Sequence, residues 1–265
     1  MTDLTLVDGA SATPANLAPL AFAGFAHFTA MQVRNGRVRG LDLHLGRLRR
    51  ASLELFGRAT PDEQVVAEIS SIVDRAPNAS LTITMFLRSG EFVRADDSPP
   101  AVLIRTMPAT DGPVGPLRLD MVRHDRWRPD IKHVGEAAKT YFLHRAIARG
   151  FDDAAFVDSQ GRLAEATIWN LAFWDGASIV WPKAAVLRGV TMAILQRQLA
   201  AAGVPQREAS VRADAVAGLE GAVVVNSWTP GLAVSSIGDH QFDRSDALAE
   251  ILHDAYAREP WKSPV

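Results

Sequence analysis

The sequence predicts an α+β fold in two halves, and three observations carry that prediction. Short apolar runs of strand character recur along the chain between amphipathic helical stretches, without the regular alternation of a βαβ series. Neither G-x-G-x-x-G nor G-x-x-x-x-G-K-[ST] occurs, so the common nucleotide-binding loops of parallel α/β domains are absent. The Gly- and Pro-rich stretch DGPVGPLRL places a linker near 108–118. A smaller N-terminal domain over 1–110 and a larger, strand-rich C-terminal domain over 118–265 follow.

The elements are expected in this order. Residues 1–20 are rich in Ala and Pro and read as partly irregular. AHFTAMQV, from Ala26, reads as a strand. Asn35-Gly36 is a hairpin signal because both residues tolerate positive φ, and VRGLDL reads as the return strand. From His44 to Phe56, Leu45, Leu48, Ala51 and Leu55 recur at helical spacing, and Gly57 fits a helix stop. A second helix is expected over Pro61–Asp74, with Pro61 near its start. LTITMFLR and AVLIRTM read as buried strands. After the linker, Thr140–Arg149 reads as a helix ended by Gly150. DAAFVD is a strand, SQGR a turn, and LAEATIWNLAFW an extended stretch. Asp175-Gly176 turns the chain into the strand ASIVW. Val190–Ala202 is a helix stopped by Gly203, GAVVVNSW a buried strand, and Asp243–Ala257 a final helix.

Composition narrows the chemistry. The 265 residues suffice for one large domain or two small ones, and 48% hydrophobic with 22% charged residues is ordinary for a soluble globular protein. A net charge of -2 weighs against a nucleic-acid or membrane-surface partner. The absence of cysteine excludes disulfides, thiol catalysis and thiolate metal sites. The seven histidines show no metal spacing, so no metal is expected. The N-terminus does not read as a signal peptide, and no apolar run is long enough to span a bilayer, so a cytoplasmic location is the default expectation. Lysine occurs only at positions 132, 139, 183 and 262, so a reaction that needs a lysine amine has few candidates.

The second half holds chemically useful residues in a suggestive order. Lys132 stands eighteen residues before Gly150, and Glu165 and Asn170 lie in AEATIWN. Gly189 comes just before a predicted helix, which leaves the amides of Val190 and Thr191 at its N-terminus, where unpaired N–H groups and the helix dipole favour an anion. The Thr191 hydroxyl adds a donor. A lysine for a Schiff base, an acid and an anion cradle are what a phosphorylated aldehyde cofactor requires.

In order and spacing these segments resemble the class IV aminotransferases, the fold-type IV pyridoxal-phosphate enzymes, which include branched-chain aminotransferase, D-amino-acid aminotransferase and aminodeoxychorismate lyase. His44-Leu45-Gly46-Arg47-Leu48 matches the family's H-x-x-R-L, which implies a phosphate-binding role for Arg47. Lys132, ahead of Ala146-Ile147-Ala148-Arg149-Gly150 and Asp152-Asp153-Ala154, matches the catalytic lysine. Ala164–Asn170 matches T-E-G-x-x-x-N, so Glu165 would face the pyridine nitrogen and Asn170 would lie near the cofactor. Leu187–Met192 matches L-x-G-I-T-R, which implies that Leu187 packs on the ring face while Val190 and Thr191 bind phosphate. Ser227, in Asn226-Ser227, would bind phosphate too. Lys139 falls outside this register. The resemblance runs from about Gly24 to Phe242 and implies the D-amino-acid aminotransferase-like fold, a homodimer, and pyridoxal 5'-phosphate between the domains.

The departures are specific. Met192 stands where the family often has Arg, and Ala166 where it has Gly. Gln32 occupies the strand position at which several transaminases place a cation near the substrate carboxylate, which points away from a simple branched-chain substrate. Phe28, Ala30, Gln32 and Trp228 are the candidate pocket residues. His27 and His133 flank the expected site and read as hydrogen-bonded structural residues. Trp169, Trp174, Trp181 and Trp228 read as core or pocket wall. The expected activity is an aminotransferase using an amino acid or related amine and a keto acid. Asn226-Ser227-Trp228-Thr229-Pro230 is closer to the aminodeoxychorismate lyase version, so a lyase is one alternative, and a non-catalytic binding scaffold another.

Overall fold

The structure is a computed structural model that describes residues 3–22, 24–90, 92 and 97–264. The outermost limits of the two expected domains, residues 1 and 265, lie outside the described residues. The chain divides into two compact units. Unit 1 comprises Met1–Thr110, Ile131–Glu136 and Pro260–Val265, and unit 2 comprises Asp111–Asp130 and Ala137–Glu259.

Unit 1 contains β1 (Thr5–Val7), β2 (Ala10–Ser11), α1 (Pro14–Phe22), β3 (Ala26–Val33), α2 (Leu41–Phe56), α3 (Asp62–Val73), β4 (Ala79–Phe86) and β5 (Ala101–Pro108). Its antiparallel sheet runs β2-β1-β5-β4-β3. Leu48 of α2 and Val65, Ile69 and Ile72 of α3 share a buried core with Met31, Leu81, Ile83 and Ile104 of the sheet. Side chains alternate along β3, so His27, Thr29, Met31 and Val33 are enclosed, while Phe28, Ala30 and Gln32 share the more open face.

Two expectations are corrected here. VRGLDL is not a return strand. The Asn35-Gly36 turn forms, with φ of 51° and 69°. Pairing across it stops at Arg34 and Arg37, and Val38 instead exchanges two hydrogen bonds with Lys262, at 2.9 and 2.8 Å. Gly40, at φ 64°, then turns the chain out of the extended path, and Leu41 already belongs to α2. Residues 5–22 are ordered rather than irregular. β1 gains its partner from β5, with Leu6 opposite Ile104, a pairing across about a hundred residues that leaves no local signature.

Unit 2 contains β6 (Leu117–Arg123), α4 (Ala137–Ala148), β7 (Asp153–Val157), β8 (Leu163–Ala166), β9 (Asn170–Trp174), β10 (Ile179–Pro182), α5 (Val190–Ala201), β11 (Gln206–Ala209), β12 (Gly221–Val225), β13 (Leu232–Ile237), β14 (His240–Gln241) and α6 (Ser245–Ala257). The strands follow the order β11-β10-β9-β12-β13-β6-β7-β8, and β8 also pairs with β9. That last pairing closes six strands into a ring. Leu119, Leu163, Trp169, Leu171, Phe173, Val224 and Val234 belong to one apolar cluster of the ring. The other face of β12, through Val223 and Val225, packs with Met192, Leu195 and Leu199 of α5 and Leu248 and Leu252 of α6. Burial on both faces is why GAVVV is an unbroken apolar run. Among the described residues, no helix is long and apolar enough to cross a membrane.

Candidate functional site

The spacing of Glu165 and Asn170 has a direct structural meaning. β8 and β9 are joined by a tight connection in which the Ala166 amide donates to the Trp169 carbonyl at 2.9 Å. Glu165 and Asn170 therefore lie opposite one another in an antiparallel pair, on one face. Both reach the loop before α5. Glu165 Oε2 accepts from the Leu187 amide at 3.2 Å. Asn170 Nδ2 donates to the Leu187 carbonyl at 2.6 Å, and Asn170 Oδ1 accepts from the Gly189 amide at 3.1 Å. The other Glu165 oxygen accepts from Arg126 at 3.1 Å, with the two side chains only 7% and 4% exposed. A carboxylate this deep requires a hydrogen-bonded counter-charge, and Arg126 supplies it.

These bonds fix where α5 begins. Gly189 precedes its first residue in extended backbone, at φ -61° and ψ 147°. Its need for glycine is spatial, because a Cβ there would lie 2.1 Å from Asn170 Oδ1. The first-turn amides, those of Val190 and Thr191 among them, have no carbonyl within the helix to bond. The Thr191 hydroxyl donates to the Asn226 carbonyl at 2.8 Å, which leaves the anion cradle to backbone N–H groups. Asn226 Oδ1 accepts from the Trp228 amide at 2.8 Å, a turn with Ser227 at its tip. Trp228 meets Trp169 edge-on, with ring centroids 5.9 Å apart. Thus unit 2 brings together Glu165, Asn170, Leu187, Val190, Thr191, Ser227 and Trp228.

Unit 1 holds the others. Lys132 lies on a short extended segment beside β3, and its carbonyl accepts from the Phe28 amide at 2.9 Å. Lys132 Nζ is 4.8 Å from the centre of the Phe28 ring, a cation–π distance. Gln32 Oε1 accepts from Arg34 at 2.9 Å, Ser80 Oγ at 3.0 Å and the Thr110 amide at 3.4 Å. Three donors on one oxygen orient the amide, so Gln32 offers only N–H donors elsewhere. Arg47 is half-buried on α2, which packs against the face of β3 opposite Phe28, Ala30 and Gln32. On that packed side Thr29 Oγ1 and His44 Nδ1 are 2.6 Å apart, and His27 Nε2 and Ser52 Oγ 2.9 Å. Burial lowers both imidazoles from 6.5 to about 3, and for His44 the Arg47 charge adds to the effect.

Sequence reasoning missed Arg126, the His133–Glu136 contact and the Thr29–His44 bond. Arg126 belongs to HDRWRPD, where two arginines and two aspartates crowd seven positions and nothing local says which is buried. Among the described residues, no group of His, Asp and Glu is arranged to hold a metal ion.

Unit 2 holds a buried acid and an anion-ready helix start, and unit 1 holds a lysine on a strand edge, residue types that a cofactor-dependent transferase or lyase would use. The family is explicit: residues 26–237 match the model of "Amino-transferase class IV", and the chain belongs to that family, whose members use pyridoxal phosphate. It is therefore an enzyme of the aminotransferase type. No curated protein sequence matches it significantly. Among solved structures it is similar to the branched-chain aminotransferase of the thermophilic archaeon Thermoproteus uzoniensis with norvaline, at 19% identity and TM-score 0.80 over 97% of this chain and 94% of that one. It is similar to the 4-amino-4-deoxychorismate lyase of Pseudomonas aeruginosa, at 20% and 0.81 over 95% and 97%. A hypothetical aminotransferase of Mycobacterium tuberculosis in its PLP-bound form matches at 20% and 0.77 over 97% and 99%. These likenesses establish the fold-type IV architecture.

Proposed function

We propose that the protein is a pyridoxal-phosphate-dependent aminotransferase that moves an amino group between an amino acid or related amine and a keto acid, with Lys132 carrying the cofactor. The observation that supports this best is the cluster around Glu165. A buried carboxylate bonded to Arg126 stands beside the loop that aims the free amides of α5. The donor set fits the group: an acid for a ring nitrogen, backbone N–H groups for a phosphate, and a loop at Gly189 with no room for a side chain. Family membership adds Lys132 and Arg47.

Bound pyridoxal phosphate supplies an aldehyde for an amine and an electron-withdrawing ring that acidifies the substrate α-proton. The residues of the chain do the rest. Lys132 Nζ would hold the cofactor and, once released by an amino substrate, would take and carry the proton of the substrate α-carbon. Glu165 would face the pyridine nitrogen and keep it protonated. The amides of Val190 and Thr191 bind the phosphate with Arg47 and Ser227. Asn170 steadies the loop, and Leu187 packs on the ring. Phe28, Ala30, Gln32 and Trp228 line the substrate. The reading carries with it a cytoplasmic homodimer and two domains, mainly 1–110 and 118–265, with Ile131–Glu136 and Pro260–Val265 grouped with the first.

One observation favours a second reading. Gln32 offers neutral N–H donors where a transaminase carboxylate clamp would need a cation, and Asn226-Ser227-Trp228-Thr229-Pro230 resembles the aminodeoxychorismate lyase version, so a lyase of that type is the second reading. Transamination consumes a keto acid in each cycle and elimination does not, so turnover with the amino substrate alone separates them. The primary test is the visible absorption spectrum of the purified protein loaded with pyridoxal phosphate, followed by borohydride reduction and peptide mapping. A yellow protein with its adduct on Lys132 is expected. A protein that takes up no cofactor would overturn the proposal and leave the binding-scaffold reading.

A further inference from the structure

We infer that Asp153 is a positioning residue: its carboxyl group anchors the turn between β8 and β9 and so sets Glu165 and Asn170 against the loop before α5. The inference rests on the proposal that this cluster holds the cofactor. The join between β8 and β9 is short. Its backbone links among the described residues are one cross-strand pair, Glu165 with Asn170, and one turn bond, Ala166 N–H to Trp169 O. Beyond that, β8 is held by β7, and β9 by β10 and β12. The spacing of the two strands where they carry Glu165 and Asn170 therefore depends on the turn, and ordering its three residues costs entropy that rivals so few bonds.

Asp153 reaches the turn from a different strand. It opens β7, which is fixed independently by five parallel pairs with β6, from Leu119 opposite Asp153 to Arg123 opposite Val157. Ala155 faces Ala166, so the same register carried two residues further brings Asp153 level with Ile168, past the end of β8. No ladder continues there, and side chains make the link instead. The Thr167 hydroxyl donates to Asp153 Oδ1 at 2.6 Å, and the Trp169 indole Nε1–H donates to Oδ2 at 2.9 Å. One oxygen thus holds each side of the turn. Thr167 and Trp169 are buried on this anchor, while Ile168 between them is exposed. The Ala154 amide donates to Oδ1 at 2.6 Å and ties the carboxyl to its own strand. Burial pushes that carboxyl above its ordinary value against the pull of these donors, so the group is costly to enclose and is enclosed where it meets the turn. Trp169 extends the anchor to Trp228, its edge-on neighbour beside Ser227. Arg126 and the Leu187 amide hold the Glu165 oxygens, whereas Asp153 holds the backbone from which Glu165 and Asn170 project.

The test uses the full chain, with and without pyridoxal phosphate, and the variants Asp153→Leu and Asp153→Asn. Leucine fills the space and offers no acceptor. Asparagine keeps both links without a charge, because its carbonyl accepts from the Trp169 indole while its amide donates to the Thr167 oxygen. In Asp153→Leu, hydrogen exchange at the Ala166, Leu187 and Gly189 amides is expected to quicken about tenfold or more, with the β12–β13 amides unchanged. The Kd for pyridoxal phosphate, read by equilibrium dialysis, should rise about tenfold, and the visible circular dichroism of the bound chromophore should fall. Asp153→Asn should recover most of the protection, affinity and dichroism. Unaltered exchange at the three amides in Asp153→Leu would overturn the inference. So would an Asp153→Asn variant as damaged as Asp153→Leu, which makes the charge rather than the two links the cause, and so would equal loosening of β12–β13, which marks Asp153 as ordinary core. If Asp153→Leu does not fold, Thr167→Val removes one of the two donors at constant shape. Exchange at Ala166 should then quicken about threefold, and an unchanged rate overturns the anchor. Failure of the parent protein to take up cofactor sinks the functional proposal alone, because exchange without cofactor still decides whether Asp153 holds the turn.

Discussion

Glu165 in unit 2 and His44 in unit 1 are buried to the same depth, 5% and 4% exposed, yet the two side chains are accommodated by opposite means. Unit 2 keeps a carboxylate inside by giving it Arg126 and a backbone amide. Unit 1 strips two histidines of charge: burial drives His27 and His44 down to about 3, and each retains one hydroxyl contact. A paired buried charge is a rigid electrostatic device, suited to facing a ring nitrogen. A buried neutral imidazole packs like an aromatic residue and cements a helix to a strand.

The largest expected effect lies outside that contrast and anchors it. Lys132→Ala should lose the borohydride-reducible adduct and lower turnover by more than about a thousandfold, with folding intact by circular dichroism. Retained turnover would sink the assignment of the lysine.

Next comes the paired charge itself. Glu165→Gln leaves Arg126 enclosed without its counter-ion and should cost about 3–5 kcal/mol in urea unfolding. The exposed Arg207–Asp175 pair makes the control. Arg207 draws the Asp175 carboxyl well below the usual carboxylate range, but that guanidinium is 52% exposed, and Asp175→Asn should cost under about 1 kcal/mol. Equal losses at the two sites would erase the distinction between them.

Gly189→Ala drives a methyl into Asn170 Oδ1 and should cost about 1–3 kcal/mol together with weaker cofactor binding, read by equilibrium dialysis. The double variant with Asn170→Ala should recover part of the stability, because the clash has gone.

The smallest effect sharpens the neutral side of the comparison. His27 and His44 each have a folded pKa below the unfolded value, so the unfolded chain binds more protons between about pH 6.5 and pH 3. The contribution is fully present at neutral pH and is lost as pH falls through that window, by about 1.4 kcal/mol per pH unit for each group. His44→Gln should flatten the fall of the urea midpoint with acidity by one proton's worth. An unchanged slope would mean that His44 is not the group titrating.

Much of the site was legible because its logic is local. Glu165 and Asn170 lie five residues apart in a segment that matches the family pattern, although LAEATIWNLAFW read as one extended stretch and the structure breaks it by a tight turn that makes the two a cross-strand pair. Gly189 ahead of an apolar helix marks an amide cradle, since capping acts within one turn. The β3 strand and the α2, α3, α5 and α6 helices were readable from periodicity for the same reason. Residues 38–43 misled because they follow the Asn35-Gly36 turn signal and Leu41 and Leu43 alternate as in a strand, and only the left-handed turn at Gly40 starts the helix instead.

The sequence by itself determined the chemical inventory. It holds four lysines, no thiol, an acid and an asparagine five residues apart, and a glycine before a predicted helix. These follow from composition and from interactions a few residues long. Only the tertiary structure decided that β8 closes the ring onto β9, that Arg126 is the arginine of its cluster that goes inside, and that Ile131–Glu136 leaves unit 2 to dock on β3. Each depends on which distant partner a segment meets, and backbone pairing and charge burial are energetic facts about that partner rather than about the segment.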